Sequence, residues 1–454
     1  MDLLRGGWWA AAAIGAALLF ASPAQAQRAL CPTSIPGQPG IAFEGSSCTN
    51  GITGAYSNAA LASQSLGELS QSSTQDSTKA TMASISERRA SEQQGCPAGS
   101  SRVNGVCVPT TTASRFAAEP PDATLAAMPD ALLGYAPRLT KAPPAALPDT
   151  PHWAVWANAY GSYERLSGRS PGLGEFSVLA LTVNSTSWTG GVLGGADYTI
   201  RNLASAGDGL LLGVLTGYES SHVSLTAVST SSSPISPNGF STSKAQLSGP
   251  AAGVYASYFN GRFSTDLAFK AEFYGLDLTF SDMLGFEAVP AVGFPATSVP
   301  FSGSGSTRLN NYTTSGNVNY RIPTGAITWV EPTAGFQYTR SHYAAGADQL
   351  GLADGTALRL QGGARFGFEG AFNGVRMTTV LTGLIYDYVS VTGGVLASSP
   401  NPLILSQEGK LRGEGIGALN FYYGNGVNSF VQANLQGGEG MFGVGAKVGA
   451  RVAW

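Results

Sequence analysis

A chain of 454 residues is long enough for two or three soluble domains, yet only 12% of its residues are charged while 60 are glycine. That is about half the charge of an ordinary soluble protein, and a formal net charge of −3 gives no reason to expect a nucleic-acid partner. Past the first residues no segment approaches the roughly 18 continuous apolar residues of a membrane-spanning helix, whereas a charge-poor chain rich in Gly, Ser and Thr suits alternating barrel strands.

The N-terminus reads as secretory. Arg5 precedes an apolar run over 8–21, too short to anchor, and Ala24-Gln25-Ala26 places small residues where a signal peptidase cuts. A cleaved signal peptide over 1–26 is expected. Arg28, Ala29 and Leu30 exclude a lipoprotein box before Cys31. Export puts Cys31, Cys48, Cys96 and Cys107 in an oxidising compartment. Four cysteines allow three connectivities, and sequence does not choose among them. The preferred reading is local pairing, Cys31–Cys48 and Cys96–Cys107, which closes two small loops. There is no CxxC and no nearby histidine, so zinc is not the reading.

Residues 27–110 read as a small passenger-like region with two Cys pairs and a helix. Its first part, 27–57, is rich in Pro and Gly. The stretch 58–94 lacks Pro and predicts a helix, but Leu61, Leu66, Leu69, Ala80, Met82, Ala83 and Ile85 keep only a broken apolar stripe, so a mostly solvated helix is expected. Gly95 and Pro97 stop it, and 96–107 reads as a stapled hairpin turning at Asn104-Gly105. Residues 111–151 are a linker punctuated by Pro120, Pro121, Pro137, Pro143, Pro144, Pro148 and Pro151, with a short helix predicted over 122–135.

From 152 to 454 the texture has period two. Phe263, Leu267, Phe269 and Phe273 alternate with Ser264, Asp266, Lys270 and Glu272; Leu358, Leu360, Phe366 and Phe368 alternate with Arg359 and Arg365. The last strand sets Phe442, Val444, Val448, Val452 and Trp454 against Lys447 and Arg451. One face suits lipid; the charged face, of both signs, suits a wet lumen. The fold class is therefore all-β, an antiparallel transmembrane β-barrel of about twelve strands after a partly helical, disulfide-containing N-terminal region. Strands are predicted near 153–166, 188–200, 209–226, 243–258, 261–281, 304–322, 326–342, 356–369, 374–390, 409–423, 427–436 and 441–454. Long polar connections (167–187, 227–242, 282–303, 343–355, 391–408) alternate with tight ones, and an even strand number returns both barrel ends to the periplasm.

Five pieces of this stretch, in order, resemble the β-domain of autotransporters (type V secretion). Trp153-Ala-Val-Trp156-Ala-Asn-Ala-Tyr160-Gly-Ser resembles the family's opening strand, and Gly190-Gly191-Val192 to Asp197-Tyr198 its second. Val254 to Tyr258 with Asn260-Gly261-Arg262-Phe263 resembles its hairpin, and 332–340 (PTAGFQYTR) its later "PyaglqYtr" strand. The alternating end, Phe442, Val444, Val448, Val452 and Trp454, is similar to its insertion signal. The resemblance implies outer-membrane lipid and the barrel-assembly machinery as partners, and a barrel that anchors and presents, or translocates, its N-terminal region at the cell surface. The alternative is a porin-like or structural barrel with a periplasmic or pore-plugging N-terminal region. The chain departs from the family in its short, repeat-free N-terminal region. No Asn lies between Asn104 and Asn158 for self-cleavage, and the proline-rich segment before the barrel does not suit the family's pore-filling helix.

No enzymatic constellation is present, and no cofactor or metal is implied. Gly207-Asp208-Gly209-Leu210 differs from the family's esterase motif by lacking the serine, and reads as a turn. His152, His222 and His342 fall on different strands. The luminal charges Asp266, Lys270, Glu272, Arg359, Arg365, Lys447 and Arg451 read first as mutually balancing, and second as selecting ions or holding a traversing peptide. Phe280, Phe286, Phe294 and Phe301 fall in or beside the 282–303 connection, which either offers an adhesive patch for an unknown surface or host ligand or folds inward to close the barrel.

Overall fold

A computed structural model describes the barrel over 152–454, apart from gaps in its connections, together with a helix over 77–90 (α1) and the backbone of five short strands between residues 42 and 109. The expected signal peptide, Cys31, Cys96, the helix over 122–135 and the proline linker lie outside the described residues.

The barrel strands are β1 (His152–Ser170), β2 (Leu179–Arg201), β3 (Asp208–Ser231), β4 (Gly239–Asn260), β5 (Phe263–Phe286), β6 (Thr297–Tyr320), β7 (Thr328–Tyr343), β8 (Gly355–Phe372), β9 (Val375–Gly393), β10 (Arg412–Tyr422), β11 (Val427–Gly438) and β12 (Met441–Ala453). Each pairs antiparallel with its chain neighbours, and β12 pairs with β1 to close the wall. Closure is double at the seam's end: Trp153 N donates to Trp454 O at 3.1 Å and Trp454 N donates to Trp153 O at 2.9 Å. A closed barrel leaves no edge in hydrocarbon, where water cannot satisfy one.

The short turns lie at the end holding Trp153 and Trp454. The β4–β5 turn is the tightest kind, and Gly261 sits there at φ 55°, a conformation that glycine adopts at little cost. Next to it, Asp208 accepts backbone N–H bonds from Leu203, Ala204 and Ser205 at 2.7–3.0 Å. Burial pushes its pKa up, but the N–H groups of Ala204, Leu203 and Ser205 and the Tyr258 hydroxyl outweigh that and hold it below the usual carboxylate range. Asp208, Gly209 and Leu210 of the Gly207-Asp208-Gly209-Leu210 string thus open β3, while Gly207 lies outside the described residues.

Two aromatic pairs mark the membrane faces. Trp153 and Tyr198 meet at 4.9 Å at the short-turn end, and Tyr163 and Trp188 at 4.8 Å further along β1 and β2. From Trp153 to Tyr163 is about 33 Å of strand. At a tilt of roughly 40° that spans about 25 Å, the height of a barrel's apolar band. Aromatic rings favour both interfaces.

Beyond the outer belt the alternation inverts. Below it, β3 points Leu212, Val214 and Tyr218 outward and Glu219 and Ser221 inward. Above it, Val223, Leu225 and Ala227 point inward while Ser224 and Thr226 face out. On β5 the inward row changes from Asp266, Lys270 and Glu272 to Tyr274, Leu276, Leu278 and Phe280. The outward row changes from Leu267, Phe269 and Phe273 to Asp277, Thr279 and Ser281. The physical reason is a change of solvent: in lipid the apolar face must look outward, whereas in water it must look inward. This collar has its own apolar core, joining β1 to β7 and β12.

The long connections differ from expectation accordingly. β5 runs to Phe286 and β6 begins at Thr297, so much of 282–303 is strand rather than loop. Phe280 is buried inside the wall, 5.5 Å from Phe301, while Phe294 and the Phe286 side chain lie outside the described residues. Among the described residues, two other connections fold inward. Ala347, Leu350 and Leu352 after β7, and Leu405 after β9, are buried in the collar core. Near the outer end of β5, Gly285 and Phe286 pair with Tyr56 and Ala55, the end of a small three-stranded sheet over Ala42–Glu44, Ser47–Thr49 and Gly54–Tyr56.

Candidate functional site

The lumen between the two belts holds α1. The helix predicted over 58–94 is observed over 77–90, and it is buried rather than solvated. Its apolar stripe, short in sequence, is enough: Ala80, Met82 and Ile85 pack against Trp156, Leu193, Leu211, Leu215, Tyr255 and Ala268 of the wall. The remaining faces are polar because the surrounding wall is polar.

The helix has a defined direction. At its C-terminal end Arg88 Nε donates to Asp197 at 3.0 Å and Arg88 Nη2 to Thr199 at 2.9 Å, near the short-turn end of β2. Arg89, fully buried, donates to Asp266 at 3.1 Å and to Glu331 at 3.4 Å, both close to the same end of their strands. At its N-terminal end Ser77 meets Glu219 and Lys270, halfway up the wall. The N-terminus of α1 therefore points toward the long connections.

Every sequence-predicted luminal charge faces inward, and most meet α1 or a partner that bridges to it. Asp266 takes Arg89. Lys270 lies 3.3 Å from Glu219 and 2.5 Å from Glu272. Arg365 contacts Ser86 at 3.2 Å and Glu331 at 3.3 Å. Lys447 contacts Glu87 at 3.4 Å, Arg451 shares Asp197 at 3.2 Å, and Arg359 stacks 3.7 Å over Tyr386 while donating to Glu414 at 3.2 Å. The second carboxylate set, Asp197, Glu219, Glu331 and Glu414, and the helix cations Lys79, Arg88 and Arg89 were not singled out by sequence reasoning. One signal was available: Arg88-Arg89 is a cationic pair in a helix whose downstream barrel strands carry isolated inward acids.

Between α1 and the opposite wall a cavity of about 100 Å³ remains, lined by Lys79, Gln361, Arg365, Gln432, Asn434 and Lys447 among others. It has room for several waters. Among the described residues no group of three His, Cys, Asp or Glu is arranged to hold a metal. His222 and His342 project from the outside of different strands, and His342 pairs with Asp354 at 2.6 Å. What the arrangement does is fix a helix inside a closed wall.

The wall is also matched at the level of sequence. A family model described as "Autotransporter beta-domain" matches residues 155–434. The chain belongs to the autotransporter β-domain family. It is an outer-membrane barrel, and its closed twelve-stranded architecture is as expected from period and connection lengths. A helix does fill the lumen, contrary to the expectation drawn from the prolines: α1 lies upstream of the proline-rich linker, not within it. Solved structures similar to this autotransporter barrel include the β domain of the Bordetella autotransporter BrkA, 16% identical, covering 66% of this chain and 98% of that one at a TM-score of 0.39. The transport unit of AIDA-I from Escherichia coli is 12% identical, with 70% and 93% covered and a TM-score of 0.44. The translocator domain of NalP from Neisseria meningitidis is 12% identical, with 65% and 88% covered and a TM-score of 0.35. No curated protein matches the chain.

Proposed function

We propose that this barrel anchors the chain in the outer membrane and presents the region upstream of α1 at the cell surface, with the barrel-assembly machinery reading the terminal strand that ends in Trp454. The observation that carries the reading is the direction of α1. Its C-terminal arginines are bound at the short-turn end and its N-terminus points the other way, while Ala55 and Tyr56 pair with β5 near its outer end. The N-terminal region then serves as the presented part, tied to the barrel by a helix held in ion pairs. Small local disulfides suit a segment that passes through a narrow lumen.

An epitope tag inserted at Gly51, between two strands of the small sheet, is expected to be removed by protease added to intact cells. Protection until the outer membrane is permeabilised overturns the reading in favour of a porin-like barrel with a periplasmic N-terminal region. In the non-reduced protein, mass spectrometry is expected to find Cys96 linked to Cys107. A Cys48–Cys96 link would remove the local pairing.

A further inference from the structure

Two shallow grooves lie side by side on the lipid-facing wall, in its short-turn half. The larger, about 600 Å³, is bounded by Trp153, Tyr198, Val214 and Phe269. The smaller, about 350 Å³, is bounded by Tyr258, Val318 and Phe336. Both include Ala256 and Leu267, which are cross-strand partners on β4 and β5. Leu267 is 50% exposed and stands as a ridge between the grooves, while Ala196, Ala256 and Ala334 keep their floors low. The relief comes directly from the outward row of each strand, where large and small residues alternate instead of forming an even wall.

At the short-turn rim of this double groove is the β4–β5 turn, which exposes Arg262. Its carbonyl accepts a bond from Arg321 N at 2.8 Å, but its guanidinium makes no ion pair among the described residues. From Arg262 to Leu267 is about 17 Å of strand, or about 13 Å of height at the same tilt, close to half of an apolar band about 25 Å tall. The cation therefore lies at the periplasmic interface and the ridge near the depth where one leaflet ends.

We propose that this surface binds one anionic glycerophospholipid of the periplasmic leaflet, its two acyl chains on either side of Leu267 and its phosphate on Arg262. Apolar walls at membrane depth call for acyl chains, and two grooves with one ridge call for two chains joined at one end. A planar guanidinium fits a phosphate in a bidentate way. The groove walls are apolar and the exposed charge at the rim is positive, so a lipid with an anionic head is the occupant the charges favour.

The test is native mass spectrometry of the full chain, purified in mild detergent and offered phosphatidylglycerol or phosphatidylethanolamine. One phosphatidylglycerol per barrel is expected to survive, in preference to the zwitterionic lipid. Ala256→Phe, which fills the shared floor, is expected to lower retention about tenfold; Leu267→Ala, which removes the ridge, serves as the second variant should the first fail to fold. Arg262→Gln is expected to abolish the preference for the anionic lipid. Mobility in unheated gels checks that each variant is a barrel. Loss of all lipid from the native protein, retention unaffected in the groove variants, or a dimer in place of the lipid complex overturns the proposal.

Discussion

Removing residues 452–454 is expected to leave a chain that is exported yet does not become a compact, heat-modifiable barrel in the outer membrane. The three residues carry the end of the seam. Val452 and Ala453 are in register with Val155 and Ala154 of β1, and Trp454 exchanges both backbone bonds with Trp153. Ala453 N also donates to Gly426 O at 3.0 Å, tying the end to the preceding turn. Without them the start of β1 becomes an open edge at the membrane, with several polar groups unsatisfied at a few kcal/mol each. Two such groups suffice to reduce the barrel population more than tenfold. The outward face is lost as well, since Trp454 is 65% exposed toward the interface and Val452 and Val448 line the apolar wall below it. Trp454→Ala separates the contributions: it keeps the backbone seam and is expected to slow assembly while leaving a stable product. A truncated chain that still migrates as a compact barrel and fractionates with outer membranes would refute the closure argument.

That the sequence discloses this seam and not the collar has a physical cause. In the membrane the outward row is apolar and the inward row charged, so Phe263 to Phe273 or Phe442 to Trp454 read as strands without ambiguity. Above the outer belt the rows exchange solvent. Over Leu181 to Asn184 of β2 period two continues, but with Leu181 and Val183 now facing in and Thr182 and Asn184 facing out. A rule that expects one phase throughout ends the strand there and assigns a loop. The plug was hidden for a different reason. Ser77 to Ala90 carries three cations, Lys79, Arg88 and Arg89, with Asp76, Glu87 and Glu92 close to them in sequence, and a solvated helix is the natural reading. Its partners, Asp197, Glu219, Asp266 and Glu331, are over a hundred residues away in the chain. Only closure of the barrel brings them to one lumen. The inward orientation of Asp266, Lys270 and Arg365 was legible from alternation, but not the identity of what they hold.

Arg89→Ala is expected to unseat the lumen helix and turn a closed barrel into a conducting one. Arg89 is wholly buried, and its two carboxylate partners differ in what they keep when it is gone. Glu331 retains Arg321 at 3.1 Å and Arg365 at 3.3 Å. Among the described residues Asp266 retains neutral donors, Ser257 at 2.6 Å and Asn319 at 3.4 Å. Removing one member of a buried pair leaves an uncompensated charge and costs about 3–5 kcal/mol, whereas removing both members together is often nearly neutral. The variant Arg89→Ala should therefore show frequent open-channel events in planar bilayers where the native chain shows few. Arg89→Met combined with Asp266→Asn should close the lumen again, since no charge is then left alone and Ile85 still packs against the wall. A merely structural defect would not be repaired by a second substitution in the barrel, so recovery in the double variant identifies the ion pair as the latch. If Arg89→Ala remains as closed as the native barrel, the Arg89 pairs are not the latch, and the apolar stripe with the remaining pairs, Arg88 with Asp197 among them, holds the helix without them.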